Sequence, residues 1–171
     1  MKSEELVVLK KIKAIAMDVD GVLTDGTFWW DAGESELKRF CFADITGIPI
    51  AKNSGIVFGL ISGESSISAK AIVERYARKL KIKDVFTGCH DKAAALRQFT
   101  KKYGLDISEV CFIGDDINDL PAIEIAGLSA APSNAHPSVL EKVTIITKRE
   151  GGHGAVREII DAILSVQIEN L

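Results

Sequence analysis

Short apolar runs of strand length alternate with longer amphipathic stretches along nearly the whole of this chain, and several of those runs end on a polar or charged residue. Ala14–Met17, Ile56–Ile61, Val85–Phe86, Val110–Ile113, Leu128–Ala131 and Val143–Thr147 are the apolar runs. Between and after them, Ile45–Asn53, Ser65–Leu80, Asp91–Tyr103, Asn118–Ala126 and Gly154–Val166 read as helices, with Gly55, Gly104 and Gly127 placed to stop three of them. Such alternation predicts an α/β fold: a Rossmann-like, mostly parallel sheet with helices on both faces. The one interruption is Thr27–Trp30 and Leu37–Phe42, which read as a β-hairpin about a turn at Asp31-Ala32-Gly33. A length of 171 residues suits a single domain over 1–171.

Composition narrows the partners. The chain is 47% apolar and 26% charged, an ordinary globular balance. Its net charge of −3, with no basic stripe, argues against nucleic acid. Cys41, Cys89 and Cys111 are odd in number and scattered, which argues against a disulfide framework and for a reducing compartment. The first residues, Met1 to Lys13, are mixed in charge and lack the apolar centre of a signal peptide. No apolar run reaches membrane-spanning length, so a cytoplasmic location without membrane association is expected.

Ligands of parallel α/β sheets sit beyond the carboxyl ends of the strands, so the residues that close each strand should converge. Those residues are Asp18-Val19-Asp20-Gly21, Ser62-Gly63-Glu64, His90-Asp91-Lys92 and Gly114-Asp115-Asp116-Ile117-Asn118-Asp119. Asp18 and Asp20 alternate as they leave a strand and can face one side, and Gly21 permits a sharp turn there. One carboxylate attacking a phosphoryl group gives an acyl phosphate that water can open, and the second can supply and then recover the proton. Two carboxylates beside a phosphate dianion call for a divalent cation; Mg2+ suits oxygen donors, with Asp115 the natural third. Ser62 could hydrogen-bond a phosphoryl oxygen, and Lys92 could neutralise the transferring group. Each motif alone has a plainer reading: a turn or cap for the aspartates, an N-cap for Ser62, a solvated side chain for Lys92. It is their shared position after short apolar runs that makes the set specific.

The runs Asp18–Thr24, Ser62-Gly63, Asp91-Lys92 and Gly114–Asp119 resemble the four motifs of the haloacid dehalogenase superfamily, from about Lys13 to Val166. Asp20–Gly26, the hairpin after it, the segment holding His136-Pro137 and the tail Gly151–Glu158 are similar to the 3-deoxy-D-manno-octulosonate 8-phosphate phosphatase branch. The resemblance implies Asp18 as nucleophile, Asp20 as acid/base, and Ser62 and Lys92 as phosphate ligands. It implies magnesium on the Asp18 carboxylate, the Asp20 main-chain carbonyl and Asp115, with Asp116 and Asp119 supporting them. Substrate contacts are expected from Asp44, Gly63, Glu64, Arg75 and Lys79. The resemblance also implies a capless homotetramer in which the hairpin of Trp29 and Trp30 joins subunits, so that a neighbour covers each site.

The chain departs from that branch where it would read the sugar. Phe40-Cys41-Phe42-Ala43-Asp44-Ile45 lacks the arginine of F-N-V-R-D-G, and Ser62-Gly63-Glu64 stands for T-G-R. The related 2-keto-3-deoxynononate 9-phosphate phosphatases carry T-G-E, and Ala77-Arg78-Lys79-Leu80 resembles theirs, with Lys79 expected to return a positive charge. The second helix looks about one turn longer than in either relative, and His153 stands where an arginine is common in the tail. Three functions are therefore weighed: a sugar-acid phosphatase for the octulosonate or the nononate, a non-catalytic assembly module of the kind joined to sialic-acid cytidylyltransferases, and a receiver-like phosphotransfer domain. Glu64 favours the nononate among substrates, and the intact aspartates and lysine favour an enzyme.

Overall fold

A computed structural model describes residues 3–33 and 35–168. Its centre is β1 (Ala14–Met17), buried along its whole length. Parallel neighbours are β4 (Val57–Ile61) on one side and β6 (Val110–Ile113) on the other, so that Met17 lies level with both Leu60 and Ile113. With β5 (Asp84–Phe86), β7 (Leu128–Ala131) and β8 (Ile145–Ile146) the sheet has the order β5-β4-β1-β6-β7-β8, every pair parallel. The α/β class expected from the alternation is the one observed.

Period-two alternation in β1 divides the core. Ile15 and Met17 join the cluster containing Ile48 of α2 (Phe42–Asn53), Val73 and Tyr76 of α3 (Ile67–Leu80), and Ile159, Ile160 and Ile163 of α7 (Ala155–Ile168). Ala14 and Ala16 face the other layer, with Leu96 and Phe99 of α4 (Lys92–Lys102), Ala122 and Ile123 of α5 (Leu120–Ile123), and Val139 of α6 (Pro137–Leu140). Helix α3 buries Ala69, Val73, Tyr76, Ala77 and Leu80, the spacing of one helical face. The Ser66 hydroxyl accepts from Ala69 N at 3.2 Å to start it, and Lys81, with φ 54°, ends it.

Several boundaries differ from the sequence reading. The polar start of the chain holds a helix, α1 (Ser3–Lys11); Gln167 Nε2 donates to Leu9 O and Ile12 O and so ties its end to α7. The hairpin is short, with β2 (Trp29–Trp30) antiparallel to β3 (Glu36–Leu37), and Phe42 starts α2 instead of ending a strand. The Asp31 carboxylate forms its turn, accepting from Gly33 N at 2.8 Å and Ser35 N at 2.9 Å. The helix expected over Asn118–Ala126 is a 3₁₀ turn at Ile117–Asp119 followed by the single turn of α5, because Asp116 and Asp119 turn their side chains back onto backbone amides there.

Candidate active site

The parallel register brings three strand ends to one level. Asp18 N donates to Ile113 O, and Ser62 N to Phe86 O, so each residue continues its strand pairing by one step before the chain turns away. Asp18, Asp20, Ser62, Gly63, Glu64, Asp115 and Asp116 thereby line one cavity of about 370 Å³, together with Gly26 and Asn118. Gly21 is needed here: with φ at 87° it sits against Asp115, and a Cβ on it would overlap the Asp115 carboxylate. The turn after the first strand and the end of β6 can approach so closely only without a side chain between them.

Lys92 lies beneath this cavity, its side chain 1% exposed, with Nζ 2.9 Å from Asp18 Oδ2 and 2.6 Å from Asp119 Oδ1. The other oxygen of Asp119 accepts from Asp115 N at 2.9 Å and Asp116 N at 3.2 Å. Both its oxygens are thus engaged, and Asp119 orients Lys92 and the Asp115 backbone. Asp115 Oδ1 is buried without a partner. Burial, then the charges of Asp18 and Asp119, push the Asp115 pKa up to about 8, and burial followed by the charge of Asp119 raises that of Asp18. One lysine does not balance this many carboxylates. Asp18, Asp115 and Asp119 each present an oxygen within 4.8 Å of the others, and the unpartnered oxygen and raised pKa values are what a bound divalent cation would relieve. The cluster fits Mg2+; since Asp119 is spoken for, the ligands it offers are Asp18 and Asp115.

Asp20 stands at the other wall. The Thr24 hydroxyl, which accepts from Gly21 N and Gly26 N at 3.3 Å each, donates to Asp20 Oδ1 at 3.4 Å. Lys38, just after β3, places Nζ 2.8 Å from Asp20 Oδ1 and 2.9 Å from Oδ2. The same ammonium is 3.1 Å from Glu36 Oε1 and 3.9 Å from Glu64 Oε2. Burial works against its charge, but the hydrogen bonds and charges of Asp20 and Glu36 outweigh that and hold the Lys38 pKa above the ordinary lysine value. Sequence reasoning missed Lys38. It expected Lys79 to answer Glu64, whereas the cation beside Glu64 is Lys38. The buried Ser62 hydroxyl accepts from Glu64 N at 3.1 Å.

Three expected substrate contacts lie outside this cavity. Arg75 and Lys79 line a separate cavity of about 490 Å³ with Glu36, Lys38, Phe40 and Tyr76. Asp44 is fully buried, and its Oδ1 accepts from Arg157 N at 2.8 Å, in the first turn of α7. It supplies from α2 the cap that Gly154, lacking a side chain, cannot give to α7. His153, the departure in the tail, is 2.8 Å through Nε2 from Arg39, which also pairs with Asp25.

A protein-family model described as haloacid dehalogenase-like hydrolase matches residues 64–159. The chain is similar to the 3-deoxy-D-manno-octulosonate 8-phosphate phosphatase KdsC of Escherichia coli K12, at 35% identity over 158 residues, covering 92% of this chain and 82% of that protein. Among solved structures, the Moraxella catarrhalis 3-deoxy-D-manno-octulosonate 8-phosphate phosphatase, in complex with magnesium ion, phosphate ion and KDO, matches with a TM-score of 0.93 and 38% identity, covering 99% of this chain and 95% of that one. The cobalt-bound phosphatase of Haemophilus influenzae matches with a TM-score of 0.88 and 36% identity, covering 94% and 91%. The chain belongs to the haloacid dehalogenase-like hydrolase family, and within it to the phosphatases.

Proposed function

We propose that the chain hydrolyses a phosphorylated keto-deoxy sugar acid of the octulosonate 8-phosphate type, with Mg2+, through a phosphoryl group carried on Asp18. The observation that carries this reading is the buried Lys92–Asp18 pair at the floor of a cavity whose wall holds Asp20. The Asp18 carboxylate attacks phosphorus and the bond to the sugar oxygen breaks. Asp20 gives its proton to that oxygen as it leaves. Water then attacks the phosphoryl group, Asp20 takes its proton, and Asp18 returns as carboxylate with inorganic phosphate released. Ser62 and Lys92 hold the phosphoryl oxygens and offset their charge. The metal would be held by the Asp18 carboxylate, the Asp20 carbonyl and Asp115, where it screens the phosphate from the carboxylates around it. The chain should release phosphate from an aryl phosphate with magnesium; excess chelator and Asp18→Asn should each abolish this. Release that survives either would overturn the reading, and release by neither parent nor variant would favour an assembly module.

A second substrate has one observation in its favour. Glu64 lines the cavity where the octulosonate branch has arginine, and it can accept hydrogen bonds from hydroxyls or an amine. On that ground the nononate 9-phosphate is preferred over the octulosonate 8-phosphate. The ratio of kcat/KM for the two esters measures this. Glu64→Arg should move the ratio modestly toward the octulosonate, since a partly exposed charge is screened. A parent that clearly prefers the octulosonate, or a ratio that does not move, removes Glu64 from substrate choice.

A further inference from the structure

Asp18 and Asp20 share one loop, yet different elements hold them. Asp18 is fixed from below by Lys92 of α4, within the sheet-and-helix body. Asp20 has one contact from its own loop, the long 3.4 Å bond from Thr24, and a close one from the hairpin, the Lys38 ammonium. We infer that Lys38 is a positioning residue for Asp20, so that the hairpin sets the aim of the acid/base carboxylate; this rests on the phosphatase reading above.

The geometry supports it in two ways. Nζ at 2.8 and 2.9 Å from the two oxygens shares its charge between them and holds the end of the carboxylate toward the hairpin. The second is cost. The Lys38 side chain is 2% exposed, so its ammonium has surrendered most of its water, and burying such a charge is unfavourable unless partners replace that water. Asp20, Glu36 and Glu64 are those partners, at 2.8, 3.1 and 3.9 Å. Remove the ammonium and three carboxylates face one another across the space it filled, which drives Asp20 off its aim. Of the three carboxylates that Lys38 meets among the described residues, Asp20 is the one placed to exchange a proton and Asp20 is also the nearest, so an effect that differs between esters passes through Asp20.

The test compares Lys38→Met, which keeps length and loses charge, with Lys38→Arg, each in the parent and in an Asp20→Asn background. Turnover of an alkyl and an aryl phosphate is read with saturating magnesium, and metal-free crystals of Lys38→Met are compared with the parent. Misplacing a catalytic group by about 1 Å costs on the order of 10²-fold, so Lys38→Met should lose about that in kcat on the alkyl ester. It should lose far less on the aryl ester, whose leaving group needs little protonation. In the Asp20→Asn background the same change should cost nothing further. Lys38→Arg, which can also meet both oxygens, should keep the parent's alkyl-to-aryl ratio, and it decides the question if Lys38→Met does not fold. In the crystals of Lys38→Met the Asp20 carboxylate should be displaced. Equal losses on both esters, a full additional loss beside Asp20→Asn, or an unmoved Asp20 would overturn the proposal. A parent that splits no ester with magnesium would sink the phosphatase reading instead, and the crystal comparison would still decide the role of Lys38.

Discussion

Asp44 is a buried carboxyl whose Oδ1 accepts from the first turn of α7. Burial pushes its pKa up to about 6 from 3.8, against the opposing pull of the Arg157 and Gly154 amides. A carboxyl group raised in this way favours folding most when it is protonated. Its contribution is complete below the unfolded value near 3.8 and is lost as pH rises through about 6. Between pH 7 and pH 5 the parent should therefore gain about 1 kcal/mol of unfolding free energy relative to Asp44→Asn, by urea denaturation at both pH values. The other raised carboxylates, Asp18 and Asp115, are present in both proteins and cancel. A difference between the two proteins that does not change with pH would mean Asp44 titrates normally. Such residues mark what could be read before the fold was known. Asp18, Ser62 and Asp115 were legible because a polar residue ending an apolar run is a strand end, and strand ends of a parallel sheet must converge. The cap that Asp44 gives to α7 was not legible, because nothing local tells whether a carboxylate faces a cavity or the amides of a helix more than a hundred residues away. Lys38 went unnoticed because a lysine beside a two-residue strand belongs to no period and no motif.

At the scale of elements, the turn after β1 is clamped from two directions. Gly21 packs on Asp115, and the segment before α7 packs on the turn itself: a Cβ on Gly151 would overlap the Gly21 carbonyl, and Gly152 lies against Thr24 and Asp25. Backbone cannot yield here as the tip of a long side chain could. Gly151→Ala should cost about 1–3 kcal/mol, the usual range for overpacking, and should also lower turnover because the displaced turn carries Asp20. Gly104→Ala is the comparison, since nothing lies within 4 Å of a Cβ there and only its φ of 63° resists the change. It should lower the urea midpoint and leave turnover of an aryl phosphate as it was. Gly151→Ala with full turnover would show that the turn tolerates displacement. The long helices and the central strands were readable from period alone, whereas α1 was not: its residues are largely polar, and its place depends on Gln167 and on packing against α7.

For the whole molecule, the surface that stands out is the hairpin. Phe28, Trp29, Trp30 and Leu37 are exposed, Trp30 to 71%, and Phe42 at the start of α2 to 78%. Sequence reasoning left open that one tryptophan ring was a core residue; neither is. Phe28 and Trp30 lie 4.8 Å apart as a tilted pair, an apolar projection that a lone subunit would leave in water. A homotetramer that buries this hairpin, as the resemblance implies, is expected in solution. Light scattering should give the tetramer mass for the parent and a smaller one for Trp29→Ser with Trp30→Ser. A fully active monomer at working concentration would reject the assembly. Among the described residues no helix is long and apolar enough to cross a membrane.

Of the strands in the sheet, the central one is made first. β1 leaves the ribosome with Ile15 and Met17 bare on one face, and its two partners follow only after Val57 and Val110 have been added. The reactive loop attached to it waits longer still, for the Gly151 segment that locks it from behind. Non-local pairing of this kind delays folding and leaves apolar surface open in the meantime. During synthesis the growing chain should be a client for chaperones until α7 emerges, and catalytic competence should arrive in a single late step.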